Sequence, residues 1–92
     1  MRGVVTRQGP LQMVVYPATV AHARCAIVVR SVTAVQRNRM RRRMVEALRP
    51  LMVAAPAANY IIRVSSRAED LSREELTAML SALFSLGARD SN

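Results

Sequence analysis

The chain has 92 residues, of which 14 are basic and 6 acidic, and every basic residue is an arginine. This length fits a single domain, residues 1–92, with a modest core and expected flexible ends at residues 1–9 and 88–92. One cysteine, Cys25, excludes an internal disulfide and favours a reducing, cytoplasmic location. No apolar stretch reaches the length of a membrane span, so we expect a soluble protein without a membrane partner.

Three segments have the composition of β-strands. Leu11–Tyr16 is rich in β-formers and lies between a Gly-Pro pair and a further proline. Cys25–Arg30 is a continuous apolar run, which predicts a central strand covered on both faces. Asn59–Val64 is the third predicted strand.

A helical period of apolar residues extends from about Ala34 to Arg49 and predicts the first helix. Pro50 should end or kink it, because proline lacks the N–H that the helix needs. A second helix should begin at Ser72, whose capping box includes Glu75, and end before Gly87.

Five arginines stand in the seven residues 37–43, at the start of the first predicted helix. Guanidinium groups this close repel one another, and Glu46 is the only acid within that helix. The cluster therefore indicates an anionic partner, and a nucleic acid fits best.

Catalysis by the protein's own side chains has little support in the sequence. His22 is the only histidine, so neither it nor Cys25 has an evident catalytic partner. The acids near residue 72 are explained by the helix N-terminus rather than by a metal site. Tyr16 and Tyr60 could either stack on single-stranded bases or pack in the fold.

The order of these segments resembles the protein subunit of bacterial ribonuclease P. The resemblance rests on Arg24–Ser31 leading into the Arg-Asn-Arg signature of Ala34–Arg42, and on the later segments Asn59–Arg63, Leu71–Leu76 and Leu83–Phe84. It implies an α+β fold: a small two-layer α/β sandwich of the ribosomal protein S5 domain 2-like type, with a C-terminal helix. The arginine-rich helix would join two parallel strands of a mixed sheet by a left-handed crossover, against the usual preference.

The same resemblance implies the non-catalytic protein subunit of an endoribonuclease. A catalytic RNA subunit would bind the magnesium ions (Mg²⁺) and remove the 5′ leader from precursor tRNA. The protein would bind that ribonuclease P RNA and the precursor tRNA leader, with no obligate protein partner. A general RNA-binding module, such as a ribosomal protein or RNA chaperone, is the alternative.

The resemblance and the charge pattern together nominate the binding residues, with no catalytic or metal-binding residue among them. The expected RNA-binding residues are Arg30, Arg37, Asn38, Arg39, Arg41, Arg42 and Arg43. Tyr16 and Ser31 are expected to contact the leader. Val45 stands where the family commonly has another arginine, and Arg43 is expected to compensate. Residues 1–9 lack the paired phenylalanines of the family's N-terminal helix.

Overall fold

The computed structural model describes residues 3–17, 19, 21–30 and 33–90, the last four by their backbone alone. Its elements are β1 (Val4–Gln8), β2 (Leu11–Tyr16), β3 (Arg24–Val29), α1 (Ala34–Ala54), β4 (Asn59–Val64), a short 3-10 helix (Ser66–Asp70) and α2 (Arg73–Asp90). No helix in the described part of the chain is long and apolar enough to cross a membrane.

The four strands form one mixed sheet in the order β1-β2-β4-β3. β2 pairs antiparallel with both β1 and β4, whereas β3 and β4 are parallel. Parallel neighbours need a long crossover connection, and α1 supplies it. The predicted α+β fold with its mixed sheet is therefore confirmed, while the hand of the crossover stays a prediction.

The expectation of a flexible segment at residues 1–9 is wrong for β1. Val4–Gln8 pairs along its whole length with β2, from Val4 opposite Val15 to Gln8 opposite Leu11. The connection has only two residues, Gly9 with φ of 55° and then proline. A glycine with positive φ at the first loop position is typical of a type II′ hairpin turn, which holds β1 against the sheet.

One face of the sheet forms the core and the opposite face is open. The core side chains of β2 and β4 alternate with open-face ones along each strand, although the open-face residue Val14 is also buried. Both helices cover the same face, α2 over β1 and β2 and α1 beside β3. The core comprises Leu11, Met13, Val15, Val29, Met40, Met44, Leu48, Ala58, Tyr60, Ile62, Val64, Ala68, Leu76, Leu80 and Leu83. No other described element covers the open face.

β3 is an edge strand, so the prediction of a central strand is wrong. Its burial alternates, with Val29 buried and Ala26 and Val28 exposed. The continuous apolar run suggested that both faces of the strand are covered. Two of its residues, Ala26 and Val28, instead face the open side of the sheet. Apolar side chains on an exposed face are often part of a binding surface.

α1 begins as predicted and ends later than predicted. Thr33 caps it, with its Oγ1 accepting a hydrogen bond from the Gln36 N–H at 3.1 Å. The helix then passes through Pro50 to Ala54. A proline inside a helix costs about 3 kcal/mol, which is offset because Leu51 and Met52 still pack against the core.

α2 begins with the predicted capping box. The Ser72 N–H donates to Glu75 Oε1 at 3.0 Å, and the Glu75 N–H donates to Ser72 Oγ at 3.1 Å. The hydrogen bond from the Ser72 backbone N–H, followed by hydrogen bonding with the Ser72 side chain, lowers the pKa of the Glu75 carboxyl. The helix continues past Gly87 to Asp90, because an interior glycine costs only about 1 kcal/mol. Residues 88–90, which were expected to be part of a flexible tail, therefore belong to α2. Residues 91 and 92 lie outside the described residues.

Candidate nucleic-acid interface

The outward side of α1 carries a line of polar and charged residues that we call the α1 outer strip. A shallow cavity of about 410 Å³ is lined by Asn38, Arg41, Arg42, Val45, Glu46 and Arg49. Spacings of three and four residues place these side chains on one side of a helix. Met40, Met44 and Leu48 occupy the opposite, buried side, which fixes the strip toward solvent.

The cations of the α1 outer strip are uncompensated. Within the described ranges, the side chains of Arg41, Arg42 and Arg49 form no salt bridge and no hydrogen bond. Glu46 lies 3.9 Å from the guanidinium of Arg73 on α2. Because both partners are mostly exposed, this pair contributes little to stability. Arg73 nevertheless places a positive charge beside Glu46, the one acid of the α1 outer strip.

The Arg-Asn-Arg signature does not lie on one side of the helix. Arg39 lines a cavity of about 100 Å³ together with Gln36, Met40, Arg43 and Glu69. Arg37 is exposed in the first turn, where its backbone N–H donates to the Thr33 carbonyl at 3.1 Å. Of the signature, Asn38 belongs to the α1 outer strip.

Arg43 makes a structural contact that no sequence pattern indicates. Its Nη2 donates to the Leu71 carbonyl at 2.5 Å, and its Nη1 lies 3.9 Å from Met40 Sδ. The side chain is half-buried and links α1 to the segment that enters α2. Arg43 therefore does not compensate for Val45 on the α1 outer strip, because its guanidinium is used within the fold.

The open face of the sheet has a different composition. Val5, Val28 and Ile61 give it an aliphatic surface, and Tyr16 lies at the end of β2 with 39% of its area exposed. Gly3 lies next to this ring: a Cβ added there would be 2.9 Å from Tyr16 Cε1. The glycine therefore leaves room for the tyrosine ring beside the first strand.

Four arginines surround a groove at the other end of this face, beside the β1–β2 turn. The groove has a volume of about 620 Å³, and its lining includes Arg7, Arg30, Arg63 and Arg67. None of these guanidinium groups has a hydrogen bond or salt bridge to a described residue. We call this the arginine groove. It presents a concentrated positive charge and fits a phosphate group.

The remaining candidates have structural explanations. Tyr60 is buried, its hydroxyl donates to the Pro56 carbonyl at 2.6 Å, and its ring centroid is 5.2 Å from that of Phe84. Tyr60 is therefore a packing residue, and burial, followed by the proximity of Cys25, raises its pKa. Burial also raises the pKa of the Cys25 thiol to about 11, so it stays protonated near neutral pH.

The predicted site residues thus separate into several places. Ser31 lies outside the described residues, and Arg30 lines the arginine groove beside β4. Arg7, Arg49, Arg63 and Arg67 were not among the residues nominated from the sequence, although helical spacing places Arg49 on the same outward side as Asn38. Strand alternation could have found Arg7 and Arg63. Among the described residues, no group of three or more histidine, cysteine, aspartate or glutamate side chains is placed to hold a metal ion.

A family model described as Ribonuclease P matches residues 2–86 of the chain. No curated protein matches the sequence. The fold is similar to a Staphylococcus aureus RNase P protein mutant with defective mRNA degradation activity, with a TM-score of 0.84 and 18% identity, over 94% of this chain and 75% of that one. It is also similar to the Thermotoga maritima RNase P protein in complex with 1-(4-fluorophenyl)-2-thiourea, with a TM-score of 0.78 and 17% identity, over 89% and 83% of the two chains. At these identities the structural likeness shows the fold alone.

Proposed function

Because the chain belongs to the ribonuclease P protein family, we propose that it is the protein subunit of ribonuclease P and that it binds the catalytic RNA through α1 and the precursor tRNA leader through the open sheet face. Membership of the family implies partnership with ribonuclease P RNA. The roles of the two surfaces follow from their chemistry.

The α1 outer strip is the observation that carries this proposal. Arg41 and Arg42 project from a rigid helix without an acid partner among the described residues. Holding such charges together is unfavourable unless a polyanion neutralises them. Arginine suits this task because its planar fork donates two hydrogen bonds to a phosphate. A folded RNA, which brings several phosphates close together, is the matching partner.

The open sheet face supports a single-stranded partner. Tyr16 offers a ring on which an unpaired base can stack, and Val28 and Ile61 extend the apolar surface. The arginine groove at the opposite end of β2 can hold a phosphate of the same strand. A precursor tRNA leader is single-stranded, so it can use both features, whereas a duplex cannot expose its bases to Tyr16.

In this proposal the RNA subunit carries out the cleavage. The magnesium ions are bound mainly by that RNA and supply the activation of water for hydrolysis of one phosphodiester bond. The arginines of the protein reduce the repulsion between closely packed phosphates, which favours binding of both the substrate and the magnesium ions. No side chain of the protein touches the scissile bond.

The test is cleavage of a precursor tRNA by ribonuclease P RNA at low magnesium concentration, with and without the protein. We expect the protein to restore cleavage at a magnesium concentration where the RNA alone is inactive. A protein that cleaves without the RNA, or one that leaves the RNA's magnesium requirement unchanged, would contradict the proposal.

Competition binding separates this function from that of a general RNA-binding module. We expect ribonuclease P RNA to displace labelled RNA from the protein at much lower concentration than an unrelated duplex of equal length. Equal displacement by the two RNAs would favour the general module.

A further inference from the structure

The α1 outer strip extends beyond the arginine cluster that the sequence singles out. Arg49 follows Asn38 by eleven residues, which is three helical turns with an offset of only about 20°. The two side chains therefore project in nearly the same direction, about 16 Å apart along the helix axis. Arg49 shares the same shallow cavity with Asn38, Arg41 and Arg42.

Val45 interrupts the cations in the middle of this strip. It is 43% exposed and shares the cavity with Arg49, which lies one turn further along the helix. The neighbouring arginine in sequence, Arg43, points elsewhere and donates to the Leu71 carbonyl. The nearest guanidinium that continues the line of positive charge past Val45 is therefore that of Arg49.

Arg49 is also available to an external ligand. Its side chain is exposed and has no hydrogen bond or salt bridge to any residue that the structure describes. The acid in its neighbourhood, Glu46, has Arg73 of α2 at 3.9 Å as a counter-ion. Repulsion between this carboxylate and an approaching phosphate is thereby reduced.

We propose that Arg49 is a phosphate-binding residue and that the RNA-docking surface of α1 covers three turns, from Asn38 to Arg49. The ligand is the phosphodiester backbone of a folded RNA, with cationic contacts on both sides of the apolar Val45. Arg43 is a positioning residue, because it acts through the Leu71 carbonyl and makes no contact with RNA. This inference rests on the proposed docking of α1 on ribonuclease P RNA.

The experiment compares three single variants, Arg42→Gln, Arg43→Gln and Arg49→Gln. Glutamine has a helix propensity close to that of arginine, so it removes the charge with little effect on the helix. The affinity for ribonuclease P RNA is measured between 50 and 200 mM salt. Loss of one phosphate contact should reduce the slope of log affinity against log salt by about 0.7 to 0.9.

We expect Arg49→Gln and Arg42→Gln to reduce the slope, and Arg43→Gln to leave it unchanged. The salt concentration changes fourfold over this range. The affinity of the wild type should therefore fall about three times as much as that of a variant that has lost one phosphate contact. Arg43→Gln should instead lower the melting temperature, since it removes the hydrogen bond to Leu71. A fourth variant, Val45→Arg, should raise the slope by placing a cation in the middle of the strip.

The possible failures are distinguishable. An unchanged slope for Arg49→Gln, together with a reduced slope for Arg42→Gln, would overturn this inference and leave the proposed docking intact. Unchanged slopes for both would reject docking through α1 altogether. Circular dichroism of each variant checks that the helix is retained. If Arg49→Gln lost helix, Arg49→Ala would be compared instead, because alanine removes the charge and has the highest helix propensity, and its slope should fall by the same amount.

Discussion

The α1 outer strip and the open sheet face both carry arginine, but they differ in what lies between the charges. On α1 the cations project from one rigid helix, and Val45 is the one apolar side chain lining the cavity there. On the sheet, aliphatic residues and Tyr16 lie between a groove of four arginines at one end and Arg24 at the other. Phosphate contacts fix position without reading the bases, whereas stacking requires unpaired bases. One small chain thus presents two chemically distinct surfaces, one suited to phosphates and the other to unpaired bases.

The largest effect should come from removing two cations of the helix surface together. Arg41→Gln with Arg42→Gln should weaken binding to ribonuclease P RNA by about 3 kcal/mol or more, at about 1.5 kcal/mol for each charged hydrogen bond. The salt slope should fall by about 1.4 to 1.8. Filter binding at several salt concentrations measures both quantities. An unchanged slope would show that the helix surface does not contact phosphates.

The next effect concerns the sheet surface alone. Tyr16→Ala should weaken binding of leader-bearing precursor tRNA by about 1 to 3 kcal/mol, the usual contribution of one base stacked on an aromatic ring. Tyr16→Phe is the matched control, because it keeps the ring and removes only the hydroxyl. If mature tRNA lost as much affinity as precursor tRNA, Tyr16 would not be a leader contact.

A smaller effect should follow from moving the same ring without removing it. The added methyl of Gly3→Ala would lie 2.7 Å from Val14 Cγ1 and 2.9 Å from Tyr16 Cε1, which is too close for either atom to stay in place. We expect a loss of leader affinity smaller than that of Tyr16→Ala, with binding to ribonuclease P RNA alone unchanged. Equal binding of the leader by wild type and variant would indicate that the position of Tyr16 is not critical.

The smallest effect should leave both the α1 outer strip and the open sheet face intact. Ser72→Ala removes the N-cap of α2 and should lower the free energy of unfolding by about 1 kcal/mol.

The contribution of Glu75 is pH-dependent, because its pKa is lowered in the folded protein. Its stabilisation is present above the ordinary glutamate pKa of about 4.3 and is lost as the pH falls through the lowered value. Urea unfolding of Glu75→Gln and wild type should therefore converge at acidic pH, and a constant difference would argue against this origin.

Much of the fold could be predicted from the sequence, because β2, β4 and both helix starts have strong local signals. The hairpin with β1 was missed because Val4–Gln8 is short and its pairing depends on the turn at Gly9. The position of β3 at the sheet edge depends on strand order, which an apolar run does not encode. The continuation of α1 through Pro50 depends on core contacts made further along the helix.

The residue types of the candidate site could be predicted from the sequence, but the positions of their side chains could be predicted only in part. The arginine cluster is visible in the sequence, but the direction of each side chain depends on what α1 packs against. Arg43 is held by the Leu71 carbonyl, 28 residues away, and no local pattern predicts that contact. The arginine groove joins residues from both sides of the β1–β2 turn with β4, so it exists only once the sheet has formed.

The separation of the two surfaces is tested most directly by comparing two variants in two binding assays on the reconstituted holoenzyme. Arg41→Gln with Arg42→Gln, and separately Tyr16→Ala, are assayed for affinity to ribonuclease P RNA and for the preference for precursor over mature tRNA. We predict that the helix variant weakens RNA binding and that Tyr16→Ala reduces only the leader preference. Proportional losses of both quantities in both variants would contradict the existence of two separate RNA surfaces.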